Sequence, residues 1–135
     1  MFVAVDVKEV RFVTTNGCTV SGNKGTLHFN LNNYSTKAEV LAAVDRLRYL
    51  GENTNTTGGL KVARLQVFGR NQNLRPYVDR IIVLITDGVP TYDVDELDDE
   101  VAAIQRMGIR ILGLGVTSKV ILFQFGLVNV LTIFV

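Results

Sequence analysis

The spacing of apolar residues changes along the chain, and each change marks a predicted element. Val10-Arg11-Phe12-Val13-Thr14 reads as a strand. Asn16-Gly17 and Ser21-Gly22-Asn23-Lys24-Gly25 carry turn chemistry. Thr26-Leu27-His28-Phe29-Asn30-Leu31 alternates polar and apolar, the period of a half-buried strand, and completes an antiparallel hairpin at a sheet edge. The period then lengthens. Thr36-Lys37-Ala38-Glu39 fits a capping box, Val40, Leu41, Val44 and Leu47 recur at helical spacing, and Gly51 supplies the stop. Leu60, Ala63, Val67 and Phe68 mark a second amphipathic helix. Ile81 to Ile85 is unbroken apolar sequence, as expected for a strand covered on both faces. A third helix is predicted over roughly Asp95 to Met107, with Leu97, Val101 and Ile104 as its buried stripe and Gly108 as its end. Its first turns hold Asp95, Glu96, Asp98, Asp99 and Glu100, where negative charge meets the positive end of the helix dipole. Ile109 to Val116 is a further buried strand.

Apolar strands joined by helices of this length imply parallel βαβ units, so the fold class is α/β, with helices on both faces of the sheet and an antiparallel edge hairpin. With 135 residues, of which 47% are hydrophobic, the chain can bury one core and not two. The net charge of +1 and the scattering of Arg75, Arg80, Arg106 and Arg110 argue against nucleic acid as a partner. Cys18 is the single cysteine, which excludes an intrachain disulfide and zinc-type spacing. Met1 to Lys8 lacks the basic start and long apolar run of a signal peptide. The uncharged stretch from Val120 to Val135 is shorter than the about 20 residues that a helix needs to span a bilayer. A membrane role is not expected, though this tail leaves one open. A core strand, an interfacial segment or a misassigned gene end would fit it, and the lack of turn signals and of amphipathic period favours the last.

Two stretches hold the candidate chemistry. Gly51-Glu52-Asn53-Thr54-Asn55-Thr56-Thr57-Gly58-Gly59-Leu60 is a hydroxyl-rich loop opening onto a helix, and Ile81 to Gly88 is a buried strand ending in Asp87. In an open α/β sheet, ligands gather at the carboxyl ends of the strands. A carboxylate at that place is costly unless hydrogen-bonded or near a cation, and carboxylate and hydroxyl oxygens suit Mg²⁺ or a similar hard ion. Taken singly, Asp-Gly is a common turn and an Asn/Thr run a common irregular loop. No nucleophile–base constellation and no phosphate-cradling glycine fingerprint accompany them, so an enzyme is not expected.

The order of these pieces carries a resemblance. Gly25 to Leu31, Tyr34 to Leu41, Tyr49 to Thr56, Ile85-Thr86-Asp87-Gly88-Val89-Pro90 and Gly108 to Val116 together resemble a von Willebrand factor type A domain, in the style of matrilins and collagen VI. The resemblance runs over 10–116, leaving 1–9 as an N-terminal remnant and 117–135 as an apolar tail outside it. It implies a Rossmann-like, doubly wound, mostly parallel sheet and a metal-ion-dependent adhesion site built from an Asp-x-Ser-x-Ser loop, a threonine and an aspartate. Thr54 matches the threonine and Asp87 the aspartate, with Asn53, Asn55, Thr56, Gly88, Pro90 and Tyr92 forming the ligand-binding rim.

The implied cofactor is Mg²⁺, or Mn²⁺ or Ca²⁺. The implied partner is an extracellular matrix protein such as collagen, bound through an acidic side chain, and the implied location is extracellular. No Asp-x-Ser-x-Ser occurs in this chain, and Asp6 is followed by no suitably placed serine. The first strand and helix are therefore expected to be missing, and metal binding to be weak or absent. The alternatives are a small Mg²⁺-dependent phosphoryl-transfer enzyme using Asp87 with Asp93, and a non-functional fragment of a longer matrix protein. Asn33-Tyr34-Ser35 and Asn55-Thr56-Thr57 are glycosylation sequons, of which Asn33 is the candidate because the second falls inside the presumed metal loop. His28 is read as a solvent-facing strand residue.

Overall fold

The computed structural model describes residues 2–6, 9–15, 25–29, 33–47, 55–69, 77, 79–86, 90, 93–115 and 129–130. The strands are β1 (Phe2–Asp6), β2 (Glu9–Thr15), β3 (Gly25–Phe29), β4 (Arg80–Thr86), β5 (Ile109–Gly115) and β6 (Asn129–Val130). The helices are α1 (Lys37–Asp45), α2 (Thr56–Val62) and α3 (Leu97–Arg106). A π-helical turn, Ala63–Val67, prolongs α2, and a 3₁₀ turn, Val94–Glu96, leads into α3. The strands form one sheet in the order β3-β2-β1-β4-β5-β6.

The expected α/β architecture is present, with two differences. The sheet is mixed rather than mostly parallel: β4–β5 and β5–β6 are parallel ladders, while β3–β2, β2–β1 and β1–β4 are antiparallel. The second difference is the cause of the first. A strand expected to be missing is supplied by the N-terminal segment, which lies between β2 and β4. Only Val7 and Lys8 separate β1 from β2. A connection that short can join only antiparallel neighbours, so β1 runs against β2, and it is found to run against β4 as well. The apolar tail also reaches the sheet, since Asn129 and Val130 pair with Leu112 and Gly113.

Helices cover both faces. On one, Ile82, Leu84, Ile109 and Ile111 pack with Leu60, Ala63, Val67 and Phe68 from α2 and its extension and with Leu97, Val101 and Ile104 from α3. All four apolar positions read for the second helix and all three read for the third are in this core. On the other face, Val83 and Ile85 pack with Phe29, Tyr34, Val40, Ala43 and Val44 around α1. Alternation along β4 divides these sets as a strand must, and the α1 side is less covered, because Ile81, Val83 and Ile85 are half-buried. Leu41, expected in the α1 stripe, is instead 52% exposed; Ala43 takes the inward position.

The edge hairpin is formed by β2 and β3. Phe12 pairs with Phe29 and Val13 with Leu27, so β3 carries one extra residue, His28. This bulge explains how Leu27 reaches one core and Phe29 the other, although two residues apart in a regular strand would share a face. His28 is exposed, as its position in the alternation predicts. The capping box is complete: Thr36 Oγ1 accepts from the Glu39 N–H, and Glu39 Oε2 accepts from the Ser35 and Thr36 N–H groups, each at 3.0 Å. Those two bonds hold the Glu39 carboxyl below its ordinary range. Gly108 ends α3 at φ +71°, a conformation that costs a side chain dearly and glycine little. The predicted stop at Gly51 and the turns in 16–24 lie outside the described residues.

Candidate functional site: the carboxyl edge of the sheet

The start of α2 is built by its own side chains. Asn55 is the N-cap, and its Oδ1 accepts from the Gly58 N–H at 2.6 Å. A Cβ on Gly58 would fall 2.9 Å from both terminal atoms of that side chain, so glycine is required for the cap to close. Asn55 and Thr57 are fully buried and Thr56 nearly so. Asn55 and Thr56, read from sequence as rim residues, are therefore corrected to interior positions, and Pro90 is buried as well. A hydroxyl-rich run looks like surface in sequence; here capping and packing turn it inward. Burial also closes the Asn55 sequon to a glycan, whereas Asn33 is exposed.

Three polar contacts join α2 and its extension to the segment leading into and along α3. The Thr57 hydroxyl donates to the Asp93 carbonyl at 2.8 Å. Lys61 pairs with Glu96. Arg64 donates to both carboxylate oxygens of Glu100, from Nε at 2.5 Å and from Nη2 at 3.0 Å. Hydrogen bonding to Glu96 raises the Lys61 pKa, and hydrogen bonding to Glu100 raises that of Arg64. Positions 57, 61 and 64 ascend with 93, 96 and 100, so the two helices run parallel and begin at the same edge. That edge is the carboxyl end of β4, because α3 leads from it back to the start of the parallel strand β5. The beginning of α2 therefore stands at the edge where β4 ends. Asp93 turns the connecting segment with φ +49°, in the left-handed region.

The candidate metal ligands Thr54 and Asp87 lie outside the described residues, as do the rim candidates Asn53, Gly88 and Tyr92. Their immediate sequence neighbours Asn55 and Thr86 are described, the one opening α2 and the other closing β4. Two observations bear on a cation. The buried Thr56 hydroxyl has no hydrogen-bond partner, leaving one hard oxygen unsatisfied two positions after Thr54 in sequence. Against this, β1 pairs Phe2 with Leu84 and Asp6 with Arg80, so Asp6 falls at the amino end of β4, opposite the candidate edge. The chain following β1 thus leaves from the wrong edge to add ligands. The donor set is right in kind for a hard cation and short of charge. Among the described residues no group of three or more His, Cys, Asp or Glu could hold a metal. No described helix is long and apolar enough to cross a membrane.

The polar contacts that orient this edge escaped the sequence reading. Thr57, Lys61 and Arg64 share a helical spacing that Asp93, Glu96 and Glu100 match with complementary groups. The acidic run was instead explained by the helix dipole alone.

Comparison with known proteins agrees with this architecture. The chain is similar to the collagen alpha-1(XX) chain of Homo sapiens, 36% identical over 106 residues, which cover 76% of this chain and 8% of that protein. It is 32% identical over 91 residues to matrilin-1 of Gallus gallus, covering 65% of this chain and 18% of that one. Among solved structures it is similar to proximal thread matrix protein 1 from the mussel byssus, described with a zinc-occupied MIDAS motif (a metal-ion-dependent adhesion site). The TM-score is 0.71 at 25% identity, covering 90% of this chain and 29% of that one. The chain thus spans less than a third of each of these proteins. The model of the von Willebrand factor type A domain matches residues 10–122, and the chain belongs to that family.

Proposed function

We propose that this chain is a protein-binding adhesion module of extracellular-matrix type, acting outside the cell on a matrix partner such as collagen. The docking point is the carboxyl edge of the sheet, with Thr54 and Asp87 as the recognising oxygens. The observation that carries this reading is the common starting edge of α2 and α3, tied by the Thr57–Asp93 contact where β4 ends. The relatives supply the class of partner: collagen, matrilin and byssus thread proteins are matrix components by name.

Thr54, Asp87 and the unpaired hydroxyl of Thr56 are the groups that would hold a divalent cation, Mg²⁺, Mn²⁺ or Ca²⁺. Such an ion supplies the positive charge that attracts a partner's carboxylate. Two alcohols and one carboxylate neutralise only half of a divalent charge, so affinity for the ion alone is weak, and an acidic side chain of the partner completes the shell. Retention of the chain on fibrillar collagen, with millimolar Mg²⁺ or with EDTA, tests the reading. Retention in Mg²⁺ that EDTA abolishes supports it. Equal retention in both buffers contradicts the cation's part, and no retention in either contradicts collagen as partner. Calorimetric titration with Mg²⁺ alone should show no submillimolar affinity.

A further inference from the structure

Asn33-Tyr34-Ser35 and Asn55-Thr56-Thr57 share the pattern of N-linked glycosylation, and the fold treats them in opposite ways. Tyr34 is half-buried, packed edge-on against Phe29 with ring centroids 5.2 Å apart, and belongs to the core around α1. Its neighbours on either side, Asn33 and Ser35, are both exposed. The exposed run continues through Glu39, whose Oε2 holds the Ser35 and Thr36 N–H groups at 3.0 Å. A bulky polar group on Asn33 therefore meets solvent beside a fixed helix start and displaces no core residue. Asn55 is 0% exposed, and its side chain caps α2 by accepting from the Gly58 N–H at 2.6 Å. A sugar on that amide could reach water only if the first turn of α2 opened.

Placement on the sheet adds a second distinction. Three successive antiparallel ladders separate β3 from β4, so β3 ends heading away from the edge where β4 ends. Phe29, which holds Tyr34, is aligned in register through Phe12 and Val3 with Val83, in the middle of β4. The Asn33 sequon is thus set back from the proposed docking edge.

We infer that Asn33 carries an N-linked oligosaccharide and that Asn55 does not. The Asn33 amide nitrogen forms a bond to C1 of the first sugar of a lipid-linked oligosaccharide donor in the secretory lumen. The bond from that C1 to the donor's pyrophosphate breaks, the lipid pyrophosphate leaves with the electron pair, and the amide proton passes to a base. The Ser35 hydroxyl completes the sequon. The inference rests on the extracellular part of the proposed function and is independent of where the partner docks.

The test is site mapping by mass spectrometry on the folded full chain, expressed in mammalian cells behind a cleavable secretion signal. The protein is taken from the medium or, where none is secreted, from the secretory lumen. The wild type should carry one oligosaccharide, at Asn33, released by an amide-cleaving glycosidase. Asn33→Gln and Ser35→Ala should lose that mass, and Ser35→Thr should keep it. All three should unfold at the wild-type urea midpoint, because neither exposed side chain is part of the core. An unmodified Asn33 in the wild type, or an oligosaccharide at Asn55 of the folded protein, would overturn the inference. So would a modified Ser35→Ala. Collagen retention should be equal before and after release of the sugar, and a gain on release would overturn the placement away from the docking edge. Absence of retention in both forms would count against the adhesion reading alone, since the mapping does not depend on it.

Discussion

Removing Arg64 should be among the most damaging single changes to stability. Glu100 is 4% exposed and Arg64 24%, so the pair is largely withdrawn from water. Both carboxylate oxygens accept from the guanidinium, at 2.5 and 3.0 Å. Arg64→Met keeps most of the aliphatic stem and strips the charge, stranding a buried carboxylate. Breaking one side of such a pair costs about 3–5 kcal/mol, because the remaining charge has lost both water and counter-ion. With a urea m-value of about 2 kcal/mol/M, the unfolding midpoint should fall by roughly 1.5–2.5 M. The double variant Arg64→Met/Glu100→Leu removes the stranded charge and should recover most of the loss, since replacing both members of a buried pair is often neutral or stabilising by about 1–4 kcal/mol. Equilibrium urea unfolding of the four proteins in the cycle is the assay. A single-variant loss below about 1 kcal/mol, or a double variant less stable than the single, would refute the claim that Glu100 depends on Arg64.

Three further outcomes follow from the same structure. Gly58→Ala places a Cβ against the Asn55 cap, so despite alanine's better helix propensity it should destabilise by about 1–2 kcal/mol in thermal or urea unfolding. Ile104→Ala, at a fully buried position of α3, should cost about 2–5 kcal/mol by the same measurement. Glu39 has a depressed folded-state pKa, so its capping contribution is present above the ordinary value of 4.5 and is lost as pH falls through the lowered one. Unfolding followed between pH 6 and pH 3 should therefore show a steeper loss in the wild type than in Glu39→Ala.

The parts of the fold governed by local pattern were legible in the sequence. The capping box at Thr36 and Glu39, the stripe of Leu97, Val101 and Ile104, and the apolar run of β4 follow from period and capping chemistry, which neighbouring residues determine among themselves. The direction of β1 was not legible as pattern. Its apolar residues would suit a central strand of either sense, and the two-residue link to β2 decides the matter only once both strands are known to pair. The bulge at His28 was likewise invisible, because alternation continues through it while the face changes. At the candidate site the sequence marked Thr54 and Asp87 through order and resemblance. It misread Asn55 and Thr56 as surface, since an amide and a hydroxyl that are capped or packed look identical in sequence to solvated ones. The cross-links from Thr57 and Arg64 join residues 36 positions apart, beyond the reach of any local rule.

Binding of the wild type, Thr54→Ala and Asp87→Ala to immobilised fibrillar collagen in Mg²⁺ is the most direct measurement of the docking claim. Both substitutions should weaken binding at least about tenfold, in keeping with the loss of an anchoring polar contact at an interface centre. Wild-type affinity in Asp87→Ala would contradict recognition at the carboxyl edge of the sheet.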